Sequence, residues 1–209
     1  MVEEQLVPRG IRDARVLQVM TEVPRHYFVD SALASQAYSD NALPIGERQT
    51  LSQPYIVARM LQLLELRGGE AVLEIGTGTG YQTALLARLA AKVYSVERLP
   101  SLVRKAAQRL QGMGARNVAF RHGDGSLGWP EFAPYDRVLV SAGAPRVPDA
   151  LRQQLATGGI LVIPVGDASV QRLEVWRRHE PDRWTTERHG DCRFVPLVGR
   201  DAWEKPPAE

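Results

Sequence analysis

Residues 72–84 read VLEIGTGTGYQTA: a short, mostly apolar run, glycines at alternate positions, then a stretch of helical composition. A glycine-rich turn between strand and helix lets backbone approach a ligand closely, because glycine adopts positive φ and carries no Cβ. The spacing Gly76-x-Gly78-x-Gly80 differs from the G-x-G-x-x-G of dinucleotide enzymes. No lysine or arginine stands in the loop to meet a phosphate. Alone, such a triplet is also an ordinary turn, so its meaning depends on its surroundings.

Those surroundings alternate. Apolar runs at AVLEI (71–75), KVYSVE (92–97), NVAFRH (117–122), RVLVSA (137–142) and ILVIPV (160–165) read as strands. Helical stretches over 81–90, 99–111 and 148–156 fit between them, the rhythm of a doubly wound, mostly parallel α/β sheet. The segments QRLEVWRRH (171–179) and WTTERHGDCRFVPLV (184–198), joined by EPDR, predict an antiparallel hairpin that closes the sheet. Upstream, a helix is expected over 10–21, ended by Pro24, and another starting at Pro54, since proline suits a first helical turn. The organisation expected is an N-terminal helical and loop extension over 1–66 that covers the ligand edge of the sheet, a ligand-binding α/β core over 67–200, and a frayed tail over 201–209.

In an open sheet of this kind the ligand lies at the carboxyl ends of the strands. Glu97 ends the second strand, 21 residues beyond Gly76, where an acid can accept from ribose hydroxyls. Asp124, in HGDG, follows the third strand and could meet an adenine amino group or cap its own loop. Glu74 precedes the glycines. The result is an acid-lined seat for an adenosine-like ligand. A pyrophosphate prefers basic or neutral surroundings, whereas a sulfonium bearing an α-amino group suits acids. S-adenosyl-L-methionine fits all of these features and NAD only part of them.

The bulk composition excludes several classes. A net charge of +2, from 26 basic and 24 acidic side chains, gives no nucleic-acid footprint. Cys192 is the only cysteine, so an internal disulfide and a multi-cysteine metal site are excluded. The four histidines show no ligand spacing, and no metal is expected. The chain shows neither a signal-peptide core nor a membrane span, and a cytoplasmic location is the expectation.

The stretch that speaks about the acceptor is LPIGERQTLSQPYIVARM, residues 43–60. Ser52, two residues before Pro54, reads as a helix N-cap. It also reads as a cleft-lining donor, together with Thr50 and Gln53. The segments AYSDNALPIG, QTLSQPYIVA, VLEIGTGTGYQTALLA, VYSVER, HGDG, GGILVIPVG and RFVPLV resemble, in order, those of the protein-L-isoaspartate O-methyltransferases. The likeness runs from about Val23 to Val198.

That resemblance implies a Rossmann-like methyltransferase fold. The activity implied is methyl transfer from S-adenosylmethionine to the α-carboxylate of L-isoaspartyl residues in damaged proteins, whose ester collapses to a succinimide. It makes Ser52 the active-site residue and Glu74, Gly76, Thr77, Gly78, Gly80, Glu97, Asp124 and Gly125 the cofactor contacts. Thr50, Ser52, Gln53 and the strand carrying Val195, Leu197 and Val198 would hold the substrate peptide. A monomer acting on isoaspartyl proteins and peptides, without nucleic acid or membrane, is expected. One departure stands out: Arg48 occupies a place where the family commonly has glycine, and arginine would be strained there if φ must be positive. Three other readings remain open: a methyltransferase with a different acceptor, a cofactor-binding module without transfer, and a dinucleotide oxidoreductase.

Overall fold

A computed structural model describes residues 1–204. The chain opens with short helical turns, and helix α1 covers Ala14–Glu22. It begins later than residue 10 because Asp13 caps it, accepting from the N–H groups of Arg15 at 2.9 Å and Val16 at 3.2 Å. Such a cap stabilises a helix by about 1 kcal/mol. Two short antiparallel strands, β1 (Leu43–Pro44) and β2 (Thr50–Leu51), form a hairpin. Helix α2 (Pro54–Leu63) starts at the expected proline and buries Val57, Ala58, Met60 and Leu61.

The alternating region follows as β3 (Ala71–Ile75), α3 (Tyr81–Leu89), β4 (Lys92–Glu97), α4 (Pro100–Gly112), β5 (Val118–His122), β6 (Tyr135–Val140), α5 (Asp149–Gln153) and β7 (Leu155–Gly166). The hairpin of β8 (Gln171–Glu180) and β9 (Arg183–Cys192) closes it. Seven strands form one sheet in the order β5-β4-β3-β6-β7-β8-β9. Pairing is parallel from β5 through β7 and antiparallel from β7 through β9. The order reverses direction between β3 and β6, which places a crevice at the end of β3.

Several boundaries differ from expectation for identifiable reasons. Helix α5 stops at Gln153 because β7 starts at Leu155, which pairs with Tyr135 before a register shift. Strand β9 stops at Cys192, where Gln171 Oε1 accepts the Phe194 N–H at 2.8 Å in place of a ladder bond. The chain beyond it rejoins the sheet only as a bridge from Pro196 to Gly143. The start of the tail is held rather than frayed: Asp201 accepts from Arg146 and from the Asp149 N–H, both at 2.7 Å. Residues 205–209 of the expected tail lie outside the described residues.

Both faces of the sheet are covered, which is why its parallel strands read as nearly continuous apolar runs. Val72, Val93, Leu139 and Val162 pack with α1, α2 and α3 on one face. Their neighbours Leu73, Val138, Val140 and Leu161 pack on the other. The N-terminal extension thereby shares a core with the sheet.

Candidate active site

The glycine loop leaves β3 and enters α3 with Gly76, Gly78 and Gly80 all at positive φ (93°, 54° and 88°). At Gly80 the demand is double, since a Cβ would also lie 2.8 Å from Leu110 Cδ1. The loop is braced on both sides. Glu97, 8% exposed, accepts the Gly78 N–H through Oε2 at 3.0 Å and the Leu99 N–H through Oε1 at 2.9 Å. Beneath the loop, Thr77 Oγ1 and Ser95 Oγ are 2.6 Å apart. Glu74 Oε2 accepts from Ser95 Oγ and Thr83 Oγ1, both at 2.6 Å.

Glu74 is therefore under the loop and fully buried, not beside a ligand entrance. Its Oε1 has no partner. Burial pushes its carboxyl up to about 7, opposed by the Ser95 and Thr83 hydroxyls and assisted by the nearby charge of Glu97.

A cleft of about 840 Å³, its open mouth included, lies above the loop. Gly76, Thr77, Gly78, Glu97, Leu99 and Gly125 form its floor and one side. Ile45, Gln49, Thr50, Leu51 and Ser52 of the N-terminal extension close it from above, and Val195, Leu197 and Val198 complete the rim. Beside it runs a groove of about 910 Å³ on the same terms, lined by Arg9, Asp40, Gln53, Tyr55 and the chain from Asp191 to Val195. Thr50, Ser52, Ser141 and Val195 line both.

Ser52 is not the cap of α2. Gln53 occupies that position without a side-chain cap bond, and the Tyr55 N–H donates instead to Asp40 Oδ1 at 3.1 Å. The Ser52 hydroxyl makes no hydrogen bond among the described residues, while its backbone carbonyl accepts from Arg25 Nη2 at 2.7 Å. Arg25 is fully buried and also donates from Nε to the Ala37 carbonyl at 2.7 Å. Burial lowers its pKa, partly offset by Tyr81, over whose ring it lies at 4.8 Å. Gln53 gives its amide to Asp40 Oδ2 at 2.7 Å, and Asp40 also pairs with Arg9.

The other candidates fall out as follows. Gly125 reaches the cleft, and Asp124 serves the loop around it, accepting from Ser126 Oγ at 2.7 Å and the Arg200 N–H at 2.8 Å. Leu197 and Val198 border the cleft and not the groove. Cys192 is on the groove wall as a neutral thiol, pushed up to about 11 by burial. Arg48 and its neighbour Glu47 both have φ of 54°, so the arginine does occupy a glycine-like conformation. Arg25, Asp40, Gln82 and Ser141 were not picked out by sequence; HGDG-like punctuation marks none of them, and only the fold brings them to the site. Among the described residues no cluster of three potential metal ligands occurs.

The residues present fit an S-adenosyl ligand. Thr79, whose buried Oγ1 has no partner, is among the residues that line the cleft, Gly76 and Gly78 leave backbone open to it, and Ile75, Val96 and Leu99 line it with apolar side chains suited to a purine. Sheet order, glycine loop and the acid closing β4 define a Rossmann-like methyltransferase that uses S-adenosylmethionine. Residues 1–202 match the family described as protein-L-isoaspartate(D-aspartate) O-methyltransferase, and the chain belongs to that family.

Relatives agree. The chain is 56% identical over 204 residues to protein-L-isoaspartate O-methyltransferase 1 of Syntrophobacter fumaroxidans, covering 98% of this chain and 95% of the relative. It is 57% identical over 199 residues to the Magnetococcus marinus protein-L-isoaspartate O-methyltransferase, covering 95% and 87%. A solved protein-L-isoaspartate O-methyltransferase superposes with a TM-score of 0.85 at 31% identity, over 97% of this chain and 67% of that one. A Plasmodium falciparum structure, a putative enzyme of the same name in complex with S-adenosyl-L-homocysteine, shares the fold with a TM-score of 0.79 at 24% identity, over 94% and 96%. The chain is an enzyme that transfers methyl groups from S-adenosylmethionine to isoaspartyl residues of proteins.

Proposed function

We propose that the cleft seats S-adenosylmethionine, that the groove takes the isoaspartyl segment, and that Ser52 orients the acceptor carboxylate where the two meet. The observation that carries this reading is the position of Ser52: it lines both concavities and its hydroxyl has no internal partner. In the cleft, Gly76, Thr77 and Gly78 give backbone access and Gly125 leaves room on the far side, while Gly80 stands behind the loop, packed against Leu110 and Ala106, and shapes it from there. Glu97, pinned by two N–H groups, keeps lone pairs free for ribose hydroxyls. Asp124 holds the Gly125 loop, and Glu74 supports the glycine loop through Ser95 and Thr77. On the acceptor side, Thr50, Gln53 and Val195 line the groove, while Leu197 and Val198 border the cleft next to it. Residues 1–66 are the part that closes the cleft.

The chemistry asks little of the side chains. When bound, S-adenosylmethionine supplies a methyl group on a positively charged sulfur that departs as a neutral thioether. A carboxyl group with an ordinary pKa of about 4 is already ionised at neutral pH, so the chain needs no general base. What the protein provides is placement and exclusion of water, and orientation of this kind contributes roughly 7–11 kcal/mol in favourable cases. Ser52 acts as a donor that fixes the carboxylate, not as a nucleophile.

Monomeric action in the cytoplasm completes the proposal. Its support is a single thiol that forms no disulfide, dispersed exposed apolar side chains such as Tyr27, Phe132 and Val170, and no helix among the described residues long and apolar enough to cross a membrane. A modest formal charge of +2 argues against nucleic acid as a partner.

The test uses methyl-labelled S-adenosylmethionine and two peptides that differ only in aspartate against isoaspartate. Base-labile label in the isoaspartyl peptide alone is expected; equal labelling of both, or label stable to base, refutes the acceptor assignment. With Ser52→Ala, kcat/KM for the peptide should fall at least about tenfold, the loss of one hydrogen bond to a charged group, with cofactor affinity retained. A parallel loss of cofactor affinity would make Ser52 a structural residue.

A further inference from the structure

Ser141 follows β6 and lines both the cleft and the groove, yet it belongs to none of the segments that point to the acceptor. Its N–H donates to the Ile75 carbonyl at 2.8 Å, which fixes it beside the glycine loop. A Cβ placed on Gly76 would lie 3.4 Å from Ser141 Cβ. Its Oγ receives the Gln82 amide at a Nε2–Oγ distance of 2.6 Å. Gln82, in the first turn of α3, is itself 8% exposed.

The direction of that bond matters. An amide NH₂ only donates, so Ser141 Oγ is the acceptor and its one hydroxyl hydrogen must turn elsewhere. The spaces it adjoins are the cleft and the groove, the same two that Ser52 lines with an unpartnered hydroxyl.

We propose that Ser141 is a second hydroxyl donor to the acceptor carboxylate, paired with Ser52, and that Gln82 is the positioning residue that aims it. The proposal rests on the reading of Ser52 and the groove given above. A carboxylate held by one donor still turns about that bond. Two donors, one from the N-terminal wall and one from the sheet, fix its plane and leave a lone pair of one oxygen free for the methyl group.

The experiment compares wild type, Ser141→Ala, Ser141→Thr and Gln82→Glu in isoaspartyl-peptide kinetics and in S-adenosyl-L-homocysteine titrations, with thermal melts to confirm folding. Wild-type transfer to the isoaspartyl peptide is measured first, and its absence would sink the acceptor reading itself. Given that activity, Ser141→Ala is expected to lower kcat/KM about tenfold or more, with homocysteine-ligand affinity unchanged and with most activity kept by the threonine variant. In Gln82→Glu the carboxylate becomes an acceptor for the serine hydroxyl and turns it away, so peptide kcat/KM should fall as in the alanine variant. Wild-type rates in Ser141→Ala, equal losses of peptide turnover and ligand affinity, or a threonine variant as slow as the alanine one would each overturn the proposal.

Discussion

The buried carboxyl of Glu74 makes a quantitative prediction about stability. It is fully buried, its Oε2 takes two hydroxyl donors, its Oε1 takes none, and its pKa stands at about 7 against an ordinary 4.5. Between those two values the unfolded chain has lost the proton and the folded chain still holds it. Stability must therefore fall as pH rises through this window, being fully present below 4.5 and lost above 7. At about 1.4 kcal/mol per pH unit, the difference amounts to ~3 kcal/mol. Glu74→Gln removes the titration. Its amide leaves a polar group near the position of Oε1, but that cost does not vary with pH. Urea unfolding followed by tryptophan fluorescence at pH values across this window should show the variant gaining about 3 kcal/mol on wild type from the acid end to the alkaline end. Parallel stability curves for the two proteins, or a variant that loses ground on wild type as pH rises, would refute the burial argument.

Three further outcomes follow from individual contacts. Arg48→Gly removes a left-handed arginine and should stabilise the protein by about 1 kcal/mol, a rise in Tm of roughly 2–4 °C, whereas Arg48→Ala should give no such gain in the same melt. Arg25→Leu leaves the Ala37 and Ser52 carbonyls without their donor; a loss of about 2–4 kcal/mol in urea unfolding should accompany a larger rise in KM for peptide than for S-adenosylmethionine. Gly80→Ala sets a Cβ against Leu110 at a φ of 88°, so calorimetric binding of S-adenosyl-L-homocysteine should weaken and Tm should drop, while an unaltered affinity would contradict the tight loop.

The strand–loop–strand frame of the candidate cleft could be read from the chain because its determinants are local. A strand, a glycine turn and the next strand's terminal acid lie within Val72–Glu97, and each announces itself by residue type. The same was true of the proline that starts α2 and of the hairpin turn after Glu180. The proposed acceptor side rests on family resemblance, since residues 43–53 contain no pattern that fixes their conformation. Their shape comes from partners distant in sequence: Asp40 caps α2 from outside the helix, and Arg25 reaches 27 residues ahead to the Ser52 carbonyl. Glu74 misled for a related reason. Its place next to the glycines suggested a ligand contact, but strand alternation sends its side chain inward, to Ser95 on the neighbouring strand.

This division also explains how Arg48 is tolerated. A hairpin tip that had to hold itself in shape would need glycine where φ is 54°. Here the flanks are fixed from outside: Leu43 and Pro44 pair with Leu51 and Thr50, Glu47 accepts from Ser101 Oγ at 3.0 Å, and Arg25 ties the end of the segment at Ser52. Strain of about 1 kcal/mol at one exposed residue is small against those contacts. It follows that Arg48→Gly should raise Tm but leave peptide KM unchanged. A tighter or weaker KM in that variant would mean that Arg48 meets the substrate directly, and that its left-handed backbone is kept for recognition.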